Sequence, residues 1–335
     1  MPDVNAVAII GGGPGGYEAA LVASQLGARV TVVDSDGIGG SAVLTDCVPS
    51  KTLVATADVM VEVADSPELG VRTAGQPGGV GVDLAAVNRR VLDLAGAQSA
   101  DTRARLERDG VRIIAGRGRL EGPNRVVAET AAGTEGVDAD VVLVATGAHP
   151  RELPTAVPDG ERILSWTQLY GLEELPERLV VVGSGVTGAE FASAYHALGS
   201  DVVLVSSREQ VLPGQDADAA AVLEDVFVRR GLTVLARSRA VAAQRQDDGV
   251  VVHLEDGRTV QGSHCLMAVG SIPNTAGLGL EDAGVALDER GFVTVDRVSR
   301  TTARGVYAAG DCTGVLMLAS VAAMQGRTAM WHALG

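Results

Sequence analysis

Positive charge is scarce in this sequence. Its 335 residues carry 27 Lys plus Arg against 42 Asp plus Glu, a formal net charge of −15. Nucleic acids and anionic membranes are bound through clustered positive charge, so partners of those kinds are not expected. Lysine is rarer still: Lys51 is the only one. A position that keeps an ammonium against so strong an arginine bias points to chemistry that a guanidinium does not serve. Long apolar runs are also missing, none approaching the roughly 18 residues of a membrane span. The opening MPDVNAVAII has no basic leader before it runs into a glycine loop, so the expected compartment is the cytoplasm. Cysteines number three, Cys47, Cys265 and Cys312, far apart and without CxxC or zinc-like Cys/His spacing. Neither a disulfide framework nor a structural metal is expected from them. What remains is 46% apolar but only 3% aromatic, with 43 glycines spread along the chain, a globular α/β composition long enough for two cores.

The first strand reads from Ala6 to Ile10, followed by the loop GGGPGG, a helix from Tyr17 to about Leu26 and a strand from Arg29 to Val33. The same order recurs from Leu179: LVVV, the loop GSGVTG, AEFASAYHAL and DVVLV. A repeated nucleotide-binding βαβ unit means two sites. Between the repeats lie a helical stretch from about Leu84 to Asp109, short strands around Val111 to Ala115 and Arg125 to Ala128, and the strand Asp140 to Thr146. Pro150, Pro154 and Pro158 mark a crossing, since X-Pro steps favour extended connections. After the turn GSIPN the chain ends in the strand GVYAA, the loop GDCTG and a helix from about Leu318 to Ala333. The expected fold is α/β with two Rossmann-like dinucleotide-binding domains, the second (151–276) inserted between two parts of the first (1–150 and 277–335).

Gly11, Gly13 and Gly16 form a GxGxxG that follows a strand, opens a helix and is trailed by Asp34 at the next strand's end. In that context the glycines let backbone approach a pyrophosphate, the helix N-terminus stabilises its charge, and Asp34 can accept hydrogen bonds from an adenosine ribose. Gly183, Gly185 and Gly188 repeat the loop, but Ser206 stands where Asp34 does, followed by Ser207 and Arg208. With no acid to repel a 2′-phosphate, this second site leans to NADPH, with NADH close behind.

Taken in order, these motifs resemble the FAD-dependent pyridine nucleotide-disulfide oxidoreductases, the family of dihydrolipoamide dehydrogenase and glutathione reductase. The likeness covers essentially the whole chain. It rests on the first GxGxxG with Asp34, GGSAVLTDCVPSK from Gly39 to Lys51, ATG at Ala145, Thr146 and Gly147, the second GxGxxG running on to Glu190, GSIPN from Gly270, and AAGD ending at Gly310 and Asp311. It implies FAD in the first and last segments and NADPH or NADH in the middle one, with Gly40, Ser41 and the ATG residues among the cofactor contacts. Asp311 would hold the flavin ribityl chain, and the helix opening at Leu318 and Ala319 would aim its N-terminus at the flavin pyrimidine. The resemblance makes Lys51 and Glu190 a pair beside the flavin's reactive edge and Cys47 the flavin-side thiol. An inert buried cysteine and an electronic role are both open for Cys47.

Three departures shape the expected activity. Ala42 replaces the family's first redox cysteine, Ser271 replaces the arginine of GRxPN, and the sequence stops at Gly335 where relatives continue into an interface domain that supplies a His/Glu base and the dimer contact. None of the five histidines sits in such a motif, so no general acid/base is assigned and the oligomeric state is left open. The expectation is an enzyme of the single-cysteine branch, an NAD(P)H:quinone oxidoreductase passing hydride to FAD and on to a small quinone-like acceptor, and not a dithiol disulfide reductase. The alternatives are a transhydrogenase-like enzyme and a truncated, non-catalytic FAD-binding protein.

Overall fold

The computed structural model describes residues 5–71 and 80–335. The strands AVAII, VVLV, RLVVV and DVVLV are rich in β-branched residues and buried along nearly their whole length. Apolar runs without alternation suit parallel strands covered on both faces, and that is what they form.

The chain divides into two compact units. The first comprises Met1–Cys47, Leu94–His149 and Ile272–Gly335, the second Val48–Asp93 and Pro150–Ser271. In the first, a five-stranded parallel sheet runs in the order Val306–Ala308, Val141–Val144, Ala6–Ile10, Arg29–Asp34, Arg112–Ala115. In the second, the order is Ile163–Ser165, His264–Met267, Arg178–Val182, Asp201–Val205, Thr233–Leu235. Each sheet is thus built around the strand that enters a glycine loop, with the strand leaving the following helix beside it. The duplication goes further than the loops. Each unit also carries a three-stranded antiparallel meander, Arg117–Leu120, Arg125–Thr130 and Gly133–Asp138 in the first, Ala240–Gln246, Gly249–Leu254 and Thr259–Gly262 in the second. The repeats differ in where the fifth strand comes from. Val306–Ala308 is drawn from near the end of the chain, whereas Ile163–Ser165 precedes its own repeat.

With few aromatics available, packing relies on small and branched side chains in close approach. The helix Pro14–Gln25 lies against Ala319–Leu334, where a Cβ on Gly326 would collide with the backbone of Gly15. In the second unit, Phe191 and Tyr195 of the helix Val186–Leu198 are fully buried with Leu53, Leu84 and Leu164. Among the described residues no helix is long and apolar enough to cross a membrane.

Candidate functional site

The two glycine loops have nearly the same geometry. Gly11 and Gly183 sit at φ +104° and +111°, a region L side chains rarely adopt, and a Cβ on either would strike the carbonyl of Ala145 or Ala268. A Cβ on Gly16 or Gly188 would strike the carbonyl of Gly11 or Gly183, so these outer glycines are demanded by the fold itself. The middle ones are not. Gly13 and Gly185 have ordinary φ values of −70° and −68°, and a Cβ there would meet nothing closer than 3.9 Å at Gly13 and nothing within 4 Å at Gly185. Each lies, without steric crowding, at the N-terminus of a helix that has no side-chain cap and no acidic residue in its first turn. Amides left unsatisfied in this way at the positive end of a helix suit a phosphate, and a glycine the protein does not need suits close approach by one. Both loops therefore fit a dinucleotide pyrophosphate.

At the strand ends the two units diverge. The Asp34 carboxylate accepts from the amide of Gly12 at 2.6 Å on one oxygen and from Asp36 and Gly37 at 2.9 and 2.6 Å on the other. It thus ties the loop to the strand end while lining a cleft of about 430 Å³ with Gly11, Arg117, Thr146, His149 and Asn274. Ser206, its counterpart, is 1% exposed. Its hydroxyl lies 2.6 Å from that of Ser184, accepts from the Arg208 amide at 3.1 Å and lies 3.3 Å from the Arg208 carbonyl. The Ser206 hydroxyl, which stands where a 2′-phosphate would meet no acid, is engaged within the protein. Ser207 and Arg208 are exposed.

The ATG and GSIPN motifs meet in the first unit. Thr146 Oγ1 donates to the Asn274 carbonyl at 2.7 Å, the Asn274 side chain donates back to the Thr146 carbonyl at 2.8 Å, and the Asn274 amide donates to the Gly147 carbonyl at 3.0 Å. His149 Nδ1 lies 2.6 Å from Asn274 Oδ1. Arg117, His149 and Asn274 line the same cleft as Asp34 and were not singled out from sequence. Asn274 was within reach, as the last residue of the GSIPN motif, whereas nothing local marks Arg117 or His149. Gly40 approaches the loop, its Cβ position lying 2.8 Å from the Cα of Gly13. Ser41 is exposed and its carbonyl accepts from the amides of Thr45 and Asp46. Gly270, at φ +99°, accepts from the Arg151 amide in the second unit.

Lys51 and Glu190, 139 residues apart, form an ion pair at 2.7 Å within the second unit. The buried Ser50 hydroxyl bridges them, 3.3 Å from Lys51 Nζ and 3.4 Å from Glu190 Oε2. Lys51 leaves 63% of its side chain exposed and Glu190 20%, so the ammonium is held by one anion yet open to a further contact.

Asp311 opens a short turn, Asp311–Thr313, in the first unit. Burial, reinforced by the charge of Asp46, raises its carboxyl above the ordinary value. Cys312, next to it, is fully buried, its thiol directed at the carbonyls of Ala309 and Val144 at 3.3 and 3.6 Å and pushed up to about 11 by burial. Cys265 is buried in the second unit at 3.7 Å from the Met267 sulfur. Cys47 is half-buried at the first position of the helix Cys47–Asp65, and none of the three is in a disulfide. Leu318 precedes the helix Ala319–Leu334, whose first turn has no acid and no side-chain cap.

The family model for pyridine nucleotide-disulphide oxidoreductases matches residues 5–326. An NAD(P)H dehydrogenase (quinone) from Mycobacterium tuberculosis is 55% identical over 342 residues, covering 99% of this chain and 69% of the relative. A dihydrolipoyl dehydrogenase from Zymomonas mobilis is 34% identical over 333 residues, covering 97% and 70%. Among solved structures, LpdA from Mycobacterium tuberculosis superposes with a TM-score of 0.93 at 55% identity, over 99% of this chain and 73% of that one. The HOCl-induced flavoprotein disulfide reductase RclA from Escherichia coli gives 0.83 at 25% identity, over 96% and 69%.

Proposed function

Because the chain belongs to the pyridine nucleotide-disulphide oxidoreductase family, we propose that it works as an FAD-dependent NAD(P)H oxidoreductase whose terminal acceptor is a quinone. The observation that carries this is the pair of glycine loops whose middle glycines, Gly13 and Gly185, have room for a Cβ, Gly185 facing open space and Gly13 meeting only Gly40 at 3.9 Å, so that steric crowding within the fold does not account for either. Two such cradles suit two dinucleotides, FAD in the first unit and a reduced nicotinamide cofactor in the second. FAD, when bound, supplies the chemistry by taking up hydride and giving up two electrons.

The chain's own residues bind and orient. Uncapped helix amides take up the pyrophosphates, and Asp34, whose carboxylate fixes the Gly12 loop, keeps lone-pair capacity for a ribose hydroxyl. In the second unit Ser207 and Arg208 are the exposed groups suited to a 2′-phosphate, so NADPH is the favoured donor. Lys51, oriented by Glu190 and Ser50, offers an ammonium that favours added electron density, and Asp311 anchors the flavin chain.

The acceptor follows from what the thiols lack. Ala42 removes one redox cysteine, and the buried Cys312 thiol is turned toward carbonyls. A disulfide substrate calls for a cysteine where Ala42 stands, whereas a quinone does not, and the 55% identical relative bears the name NAD(P)H dehydrogenase (quinone). Anaerobic addition of NADPH to the yellow protein tests this. Flavin absorbance should bleach and return on adding a benzoquinone but not lipoamide; bleaching reversed by lipoamide would overturn the acceptor.

A further inference from the structure

The turn that presents Asp311 is held by one side chain. Gly310 sits at φ 84°, ψ −157°, a conformation open essentially only to glycine, and it is buried, so its amide needs a partner inside the protein. Gln325, one to two turns into the helix Ala319–Leu334, provides it. Its Oε1 accepts from the Gly310 amide at 2.8 Å. Its Nε2 donates to Thr313 Oγ1 at 3.3 Å, and that hydroxyl donates to the Gly310 carbonyl at 2.8 Å. The Thr313 amide donates to the same carbonyl at 2.9 Å. The carboxamide therefore closes a ring of hydrogen bonds that grips both ends of the turn, with Asp311 and Cys312 between them. The ring also fixes which end of the amide faces which partner: the Gly310 amide needs an acceptor, and the hydroxyl, already donating, needs a donor.

A neutral amide is required on a second count. Asp311 is already destabilised as an anion by burial and by Asp46. A carboxylate at 325 would add a negative charge to this group, and it has no hydrogen to give Thr313. A hydrocarbon there would orphan the buried Gly310 amide. Glutamine alone among residues of this length satisfies both partners without charge.

We propose that Gln325 is a positioning residue for the flavin, acting through the Gly310–Thr313 turn to set where Asp311 presents its carboxyl. This rests on Asp311 being the residue that holds the flavin chain, and the test separates the two. FAD affinity of the apoprotein, the flavin midpoint potential and thermal unfolding of the apoprotein are measured for the wild type and for Gln325→Leu, Gln325→Glu and Asp311→Asn. Gln325→Leu should weaken FAD binding by about tenfold or more, the scale of an orphaned buried donor. Gln325→Glu, which still accepts from Gly310 but cannot donate to Thr313, should recover only part of that affinity and show a more negative midpoint potential, because its charge disfavours the electron-rich reduced ring. If Gln325→Leu does not fold, the potential of Gln325→Glu decides. Wild-type FAD affinity and potential in the Gln325 variants, even with lowered apoprotein stability, would overturn the proposal, leaving the residue a role in folding only. If Asp311→Asn weakens FAD while the Gln325 variants do not, the inference fails and the assignment of Asp311 stands. If Asp311→Asn itself binds FAD normally, the assignment fails and the inference with it.

Discussion

The hydroxyls of Ser184 and Ser206 lie 2.6 Å apart in the buried floor of the second glycine loop, where the first loop has the Asp34 carboxylate bonded to the Gly12 amide. Both arrangements tie a loop to the end of its neighbouring strand, one with a charge and one without. Only the charged version places an acid where a nucleotide ribose is expected, and only the neutral one leaves a 2′-phosphate unopposed.

Cofactor preference should accordingly lie with the exposed Arg208 and not with Ser206. Arg208→Ala is expected to lower kcat/KM for NADPH by about tenfold, the loss of one charge-assisted contact, while leaving NADH within error. Ser206→Ala should leave the NADPH/NADH ratio unchanged and lower stability by about 1 kcal/mol through the lost hydroxyl pair. Flavin reduction with both nucleotides, beside urea unfolding, checks each. A shifted ratio in Ser206→Ala would mean its hydroxyl is released to the nucleotide.

The Lys51–Glu190 pair should matter more for turnover than for folding. With Lys51 63% exposed, the pair is worth no more than about 1 kcal/mol of stability. Lys51→Met is expected to change the urea midpoint little and to slow flavin reduction by about tenfold or more. Equal rates in wild type and variant would remove Lys51 from the chemistry.

Full reduction should consume two electrons per flavin. A dithiol relative takes four, but Cys312 is sealed against the carbonyls of Ala309 and Val144, its thiol pushed up to about 11, and is in no position to act as a ready thiolate. Anaerobic dithionite titration counts the electrons directly. Four would require a second redox couple and would return the protein to the disulfide reductases.

Stability should fall as the pH is lowered from about 6.5 toward 4 because of His264. Burial and the neighbouring Arg162, whose Nη1 lies 3.2 Å from Nε2, lower its pKa to about 4 from 6.5. The unfolded chain then binds a proton in this window that the native state refuses, so His264 contributes stability above 6.5 that is lost progressively down to 4. Urea unfolding of wild type and His264→Gln at pH 7.5, 6 and 5 would show it as a shallower pH dependence in the variant. Parallel curves would rule the histidine out.

The sequence by itself determined the parts that are steric and local. Gly11, Gly16, Gly183 and Gly188 are required by backbone contacts within their own units, and the unbroken Val-rich runs require sheets covered on both faces, so the α/β fold with two nucleotide-binding repeats was legible from pattern alone. The meanders were only partly legible, because strands such as Gly133–Asp138 are polar, largely exposed and carry no apolar signal. Tertiary structure decided whatever depends on two distant segments arriving at one place. It put Lys51 on Glu190, Asn274 on Thr146 and Gln325 on Gly310, and it turned the Ser206 hydroxyl inward to Ser184 when the residue type alone left it free for a phosphate. The physical reason is range. A backbone dihedral or an apolar period is set by neighbours in the chain, while a side-chain hydrogen bond between different elements, whether 15 residues apart as for Gln325 and Gly310 or 139 as for Lys51 and Glu190, depends on sheet register and helix packing that no local pattern encodes.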